Sequence, residues 1–452
     1  MDAVKPGMTL SEGTEIDLIA ERPVAGGRML AKQDGQVVLV SGAIPGECVR
    51  VRVDNVTRGV AFASTTQVLE PSASRRPAFV DPLCGGTVYA HVAYEAQAEL
   101  KRQVVLDALR HSARLDWTDA LPIDAGREDG YRLRARLHVR RGRLGYFREG
   151  THDLCDAGVT RQLLPETNEA LKAFVQRTPR AVLDAIDAIE LSENIDASER
   201  ALHLTWSRDA RIAPRSLADA WRVPGITGVS AMSRAPGGAS SGATGGASGD
   251  IMTLEGTPAV GDAFSSLCSS ALPAYASMRL VRGAASFFQA NRFLVRTLAD
   301  AVAEAAGDGP IVDLYAGVGL FALVLAARGR DAIIAVEGDV ASGLDLDANA
   351  RPFAGRVRVE RTSVERYLDR ASLPRTTTIV LDPPRTGLSR VALDGVLRLR
   401  ARQVLYVSCD VATFARDLRR FIDTGYVLRR LRAFDLFPNS AHIESFAVLE
   451  RA

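Results

Sequence analysis

The chain has 452 residues, 47% hydrophobic and 24% charged, with 56 Lys and Arg against 54 Asp and Glu. That length is enough for roughly two to four domains, and the balance excludes both a disordered chain and a polybasic arm. No apolar run reaches eighteen residues, which excludes a membrane-spanning helix of ordinary length. The opening residues, MDAVKPGMTLSEGTEID, lack the basic and apolar segments of a secretory leader. Cys48, Cys84, Cys155, Cys268 and Cys409 are far apart and odd in number, which argues against a disulfide scaffold and for a reduced cytoplasmic setting.

In chain order, the first seventy residues predict small-barrel β structure. Ile16–Ala20, Gln36–Val40, Glu47–Val53 and Ala61–Leu69 are short apolar or alternating runs, punctuated at Gly26-Gly27, Pro45-Gly46 and Asn55. Four or five such strands suggest a closed OB-like barrel. Residues Ala93–Leu115 predict a helix. In YRLRARLHVRRGRLGY, Arg132, Arg134, Arg136, His138 and Arg140 alternate with Leu133, Ala135, Leu137 and Val139. That period of two predicts a strand with one face buried. Like charges along the other face repel, so it calls for RNA or DNA phosphate, or else for carboxylates from elsewhere. Pro236–Gly249 reads as a flexible Gly/Ser/Ala loop without chemistry. From about Ala274 the texture turns to βαβ. Strands are predicted at Pro310–Tyr315, Ala332–Glu337, Thr377–Leu381, Gln403–Val407 and Ser445–Leu449, with helices at Leu294–Ala306 and Leu320–Arg328. This is the pattern of a doubly wound α/β sheet.

Chemistry concentrates in that last part. Asp313-Leu-Tyr-Ala-Gly-Val-Gly319 joins a strand to a helix, and Gly317 and Gly319 permit close backbone approach to a ligand. Glu337, eighteen residues on, ends the next strand, where an acid can bind ribose hydroxyls. The pair fits an adenosine cofactor. Absence of the third glycine favours S-adenosylmethionine over NAD. Asp382-Pro-Pro-Arg385 ends a third strand as a stiff loop, and Cys409 ends a fourth, well placed as a nucleophile. His442 and Glu444 are two apart before the last strand, so either could serve as a general base. Gln289, in FFQAN, could orient a cofactor or a base edge, and Asn291 suits a helix cap.

Taken in order, FFQAN, DLYAGVG, VEG, LDPPRTGL, VSCD and FPNSAHIE resemble the S-adenosylmethionine-dependent RNA 5-methyluridine (uracil-C5) methyltransferases. The N-terminal barrel resembles their TRAM domain. The resemblance implies a TRAM/OB-like RNA-binding barrel at 1–72 and a β-rich central RNA-binding domain at 73–273, with a helix at about 93–115 that could pack on the catalytic domain. It implies a Rossmann-like methyltransferase domain at 274–452. It implies Cys409 as nucleophile and Glu444 as the base for the C5 proton, with Gln289, Tyr315, Gly317, Gly319, Glu337 and Asp382 around cofactor and uracil. Cys409 is expected to have a depressed pKa or to lose its proton on attack. Arg132, Arg134, Arg136 and Arg140 would hold RNA. Many relatives carry an iron–sulfur cluster on four cysteines. Here Ala78 and Thr87 stand at two of those positions beside Cys84 and Cys155, so no cluster is expected. A zinc site using His91 and His152 is a minor alternative. The expected substrate is RNA, with 23S rRNA favoured over tRNA, and no membrane or obligate protein partner. The alternatives are amino-group methylation and a non-catalytic RNA-binding or ribosome-assembly protein.

Overall fold

A computed structural model describes residues 10–207, 218–232 and 251–451. Pro236–Gly249 lies outside them. At the N-terminus, strand Glu15–Ile19 buries Ile16 and Leu18 and exposes the residues between. It pairs with Cys48–Thr57, and after a bend at Ala20 the chain continues as Arg22–Pro23, which pairs with Met29–Gln33. These two short strands therefore stand at opposite ends of the sheet order and close it on itself. Gln36–Ser41 and Val60–Glu70 complete the barrel. Sequence periodicity misses Met29–Gln33, where Lys32 and Gln33 break the apolar run.

Helix Tyr94–Ala108 joins this barrel to the rest. Leu100 packs into the barrel core, while Val104 and Val105 enter the core beneath the C-terminal sheet. The same helix grips a distant loop. Lys101 Nζ meets Asp435 Oδ1 at 2.5 Å and donates to Phe437 O at 3.0 Å. Gln97 donates to Asn439 Oδ1 at 2.9 Å and accepts from Asn439 N at 2.9 Å. Lys101 and Asp435 are both fully buried, so removing one partner strands the other charge. Lys101→Met should destabilise the protein by about 3–5 kcal/mol, read as a loss of urea midpoint at unchanged slope. A loss below 1 kcal/mol would mean that Asp435 finds another partner.

The central sheet has seven strands, in the spatial order Leu154–Asp156, Arg143–Phe147, Arg134–Arg140, Ile186–Glu193, Arg200–Trp206, Gly228–Met232 and Ile251–Gly256. Arg134–Arg140 alternates as its sequence predicts, with Ala135, Leu137 and Val139 buried. The charged face is partly neutralised from the next strand. Glu190 pairs with both Arg134 and Arg136, and Asp187 lies 3.8 Å from Arg140. Four arginines counting Arg132 thus meet two carboxylates, and the face stays net positive.

One expectation fails here. Cys84 and Cys155, 71 residues apart, are joined in a disulfide. It ties the loop after Asp81 to the hairpin around Gly145. Thr87 donates its hydroxyl to Cys84 O at 2.9 Å. His91 Nε2 is bonded to Ala43 O, and His152 stands edge-on to Phe147. Among the described residues no three His, Cys, Asp or Glu converge as metal ligands, and no helix is long and apolar enough to cross a membrane.

The C-terminal sheet has eight strands: Val357–Arg361, Ile333–Glu337, Ile311–Leu314, Thr378–Leu381, Gln403–Ser408, Glu444–Arg451, Tyr426–Phe434 and Ile123–Asp124. The first five are parallel; Glu444–Arg451 runs antiparallel to them, and Tyr426–Phe434, antiparallel to Glu444–Arg451, runs in the direction of the five. The parallel strands at the centre are buried on both faces and read as continuous apolar runs. Their carboxyl ends therefore open on one side. Ile123–Asp124, inside the stretch assigned to the central domain, belongs to this sheet as an edge strand. Buried contacts fasten Glu193 of the central sheet to the segments that lead into the C-terminal sheet. Arg292 meets the Glu193 carboxylate, and Arg282, paired with Asp262 at 2.6 Å, donates to Glu193 O at 2.6 Å.

Candidate active site

Four loops at these carboxyl ends surround a cavity of about 660 Å³. Gln289, Tyr315, Gly317, Glu337, Asp382, Cys409 and Glu444 line it together with Arg132 and Arg134. Arg136 and Arg140 are not among its lining residues, and Gly319 stands behind it.

The glycine turn is held in a backbone form most residues avoid. Tyr315 has φ 64°, Gly317 57° and Gly319 102°. A left-handed tyrosine costs on the order of 1–3 kcal/mol and marks a functional turn. A Cβ on Gly319 would lie within 3 Å of Leu323 and Leu346, so this glycine serves helix packing. A Cβ on Gly317 would meet only Phe287 O, at 3.9 Å, so that position faces open space. Glu337 fixes the turn by accepting from Gly317 N at 2.7 Å and from Asp339 N at 2.6 Å. Below it Asp313 is fully buried, accepts from Ala322 N at 3.0 Å and leaves its other oxygen without a partner.

Gln289 follows Phe288, on whose ring the Arg282 guanidinium lies at 3.9 Å. So positioned, Gln289 Nε2 donates to Asp382 Oδ2 at 2.9 Å. Asn291 accepts from Phe293 N and donates to Leu436 O. It brackets the approach to helix Val295–Ala305 and stays outside the cavity. The Asp382-Pro-Pro-Arg385 loop is anchored from helix Val411–Asp423. Thr413 Oγ1 donates to Arg385 O at 3.2 Å, and Asp417 accepts from Leu388 N and from the Tyr406 hydroxyl. Cys409 ends strand Gln403–Ser408, one residue before Asp410, the N-cap of that helix. Glu444 is the first residue of strand Glu444–Arg451, paired with Phe434, and is buried. The sequence places it in the preceding break. His442 instead points to a second cavity, with its ring against Phe437.

The acids here are crowded and dry. Burial pushes the Asp382 carboxyl up to about 7 and Glu337 upward, and burial with the Asp382 charge pushes Glu444 well above the usual carboxylate range. Burial, then Glu444 and Asp382, push the Cys409 thiol up to about 12, against the pull of Arg385. A helix N-terminus favours a thiolate, but desolvation and two carboxylates outweigh it. The expected depressed pKa is therefore corrected: the Cys409 thiol is raised. Arg385, Phe437, Asp339 and Ser342 also line the cavity and were not singled out from the sequence. Arg385 was visible as the residue completing Asp-Pro-Pro-Arg. The other three carry no motif of their own.

The cavity lining thus holds four acids, Glu337, Asp339, Asp382 and Glu444, and three arginines, Arg132, Arg134 and Arg385. The acids suit a cation, the arginines a phosphate. Comparisons with known proteins agree with the geometry. Residues 353–452 match the family model for tRNA (Uracil-5-)-methyltransferase, and 10–66 match the TRAM domain. An uncharacterized RNA methyltransferase of Streptomyces coelicolor is 33% identical over 95% of this chain and 92% of its own. The 23S rRNA (uracil(1939)-C(5))-methyltransferase RlmD of Halomonas elongata is 31% identical over 97% and 90%. The crystal structure of Pyrococcus abyssi tRNA (uracil-54, C5)-methyltransferase, in complex with S-adenosyl-L-homocysteine, superposes with TM-score 0.71 at 22% identity, covering 96% of this chain and 99% of that one. That likeness shows the fold. With its motifs on one cavity and relatives matched along nearly its whole length, the chain belongs to the RNA uracil-C5 methyltransferase family.

Proposed function

We propose that this enzyme methylates C5 of one uridine in 23S rRNA through a covalent bond between Cys409 and C6. The observation that carries the reading is the convergence of Cys409, Glu444, Asp382 and Gln289 on one cavity. The choice of 23S rRNA rests on the RlmD relatives of Halomonas elongata and Pseudomonas putida, 31% and 29% identical over 97% and 98% of this chain. On this reading residues 1–72 and 73–273 hold RNA in the cytoplasm, and 274–452 carry the chemistry.

The residues fit S-adenosylmethionine. Gly317 leaves open space where a cofactor needs backbone approach, and the raised carboxyls are those a cation would relieve. Glu337, Tyr315, Gly317, Gln289 and Asp382 would hold it, and when bound it supplies an electrophilic methyl group on a sulfonium. Cys409 Sγ bonds to C6 of the uracil as its proton passes to solvent water, the C5–C6 π pair moves to C5 and O4, and the sulfur regains a proton from Glu444 when it later leaves. C5 takes the methyl group. Glu444 then removes the C5 proton, the Sγ–C6 bond breaks and the ring is restored. The uracil must leave its stack to reach a thiol this buried. Arg132, Arg134, Arg136 and Arg140 would hold the surrounding phosphates.

Two measurements follow. Transcripts of 23S rRNA and of tRNA containing 5-fluorouridine should be incubated with the protein and S-adenosylmethionine. Fluorine cannot leave as a proton, so an adduct on Cys409 should persist with 23S rRNA. An adduct with tRNA alone would reassign the substrate, and none with either, despite cofactor binding, would sink the mechanism. Separately, Glu337→Ala should weaken S-adenosylhomocysteine binding about 10- to 100-fold by calorimetry, since a hydrogen bond to a charged group contributes about 1.5–3 kcal/mol. Unchanged affinity would remove Glu337 from the cofactor site.

A further inference from the structure

Cys409 lines two cavities. The second, of about 390 Å³, runs from Cys409 and His442 past the Pro82–Gly86 loop to Phe147 and the barrel turn at Gly26. The strand Arg134–Arg140 touches both through single side chains only: Arg134 in the wall of the first, and His138 through its contact with Phe147 in the wall of the second. Arg134 lines the first cavity, and further along the strand His138 stacks on Phe147, ring centroids 3.8 Å apart and planes 14° from parallel. The Arg140 guanidinium lies over the same Phe147 ring at 5.6 Å. His138 pairs with Gly145, so Phe147, two residues on, shares that strand face. The two acids lining the second cavity are engaged. Glu149 pairs with Arg28, and Asp410 caps a helix through Thr413 N.

A flipped uridine attacked by Cys409 keeps its phosphates on both sides, and its neighbours must leave the first cavity past the same sulfur. The second cavity meets the first at that sulfur, with the Phe147 ring in its wall. We infer that this cavity is a nucleotide subsite for the RNA next to the target uridine, with Phe147 as the ring on which the neighbouring base stacks. Stacking on an aromatic face tolerates any base. The subsite therefore sets grip and register and leaves the choice of uridine to other contacts. The inference rests on the function proposed above.

The test uses the full-length protein and a short oligoribonucleotide carrying the 5-fluorouridine that forms the Cys409 adduct, with 4-thiouridine one or two positions away. Irradiation of the adduct should crosslink the thiouridine to Pro82–Gly86, Phe147 or Ser440–His442. Phe147→Ala should raise KM for the unmodified RNA about tenfold, with kcat and the KM for S-adenosylmethionine unchanged, and Phe147→Tyr should restore it. Crosslinks confined to other segments while the adduct forms normally would overturn the subsite, and so would a KM within twofold in a folded Phe147→Ala protein. Should that variant fail to fold, the wild-type crosslinks decide. Failure to form any Cys409 adduct would overturn the parent mechanism, and the subsite with it.

Discussion

Cys409→Ala should lower kcat by at least about 10⁴-fold, leave S-adenosylhomocysteine affinity within threefold and form no adduct with 5-fluorouridine RNA. Uracil C5 is too weak a nucleophile to take a methyl group unaided, and the bond to C6 is what makes it one. No other thiol can substitute, because Cys84 and Cys155 are tied to each other and neither Cys48 nor Cys268 lines the cavity. A variant retaining a tenth of wild-type activity would show that the reaction proceeds without covalent attack. The thiol itself, pushed up to about 12, holds no standing charge near neutrality. Rapid alkylation of the free enzyme at pH 7 is therefore not expected. On the proposed mechanism the proton leaves only as the S–C bond forms.

Glu444→Gln should separate bond making from bond breaking. The variant can add Cys409 to uracil and methylate C5, but nothing then accepts the C5 proton. Ordinary uridine RNA, without fluorine, should accumulate as a covalent complex, seen as a slow band on a denaturing gel, with turnover reduced by about 10²–10⁴-fold. Turnover near the wild-type rate would transfer the base role to another group. The wild-type pH profile provides a related check. Asp382 and Glu444 titrate as a pair, and both are raised because each must ionise in a dry site. A base that works ionised loses activity as pH falls through its own pKa. The acid limb of kcat/KM should therefore lie well above the usual carboxylate range, because burial and the Asp382 charge raise Glu444. Asp382→Asn removes one negative charge and should move what remains of that limb to lower pH.

The site was legible where chemistry is local. Asp313–Gly319, Asp382–Arg385 and Cys409 each end a buried parallel strand, and apolar runs with a polar break announce such ends. What was illegible depends on distance along the chain. Lys101 and Gln97 meet partners 334 and 342 residues away, and no local pattern in a helix announces them. Strands Val357–Arg361 and Tyr426–Phe434 went unpredicted because their arginines dilute the apolar signal. The alternation of Arg134–Arg140 showed which face is charged. That Glu190 would stand opposite Arg136 follows only from strand register. Cys84 and Cys155 read as separate for the same reason.

Strand order carries a consequence for synthesis. Glu444–Arg451 inserts between Gln403–Ser408 and Tyr426–Phe434, both of which leave the ribosome before it. Until it emerges, the apolar Val404–Val407 edge has no partner on that side, and an open apolar strand edge invites wrong pairing. On the proposed mechanism the nascent polypeptide also acquires its nucleophile before its base. A ribosome-bound fragment ending before Glu444 could at most attach to RNA and could not release it. The strand that completes the sheet would thus also complete the catalyst, and one folding step would withhold activity until the edge is covered.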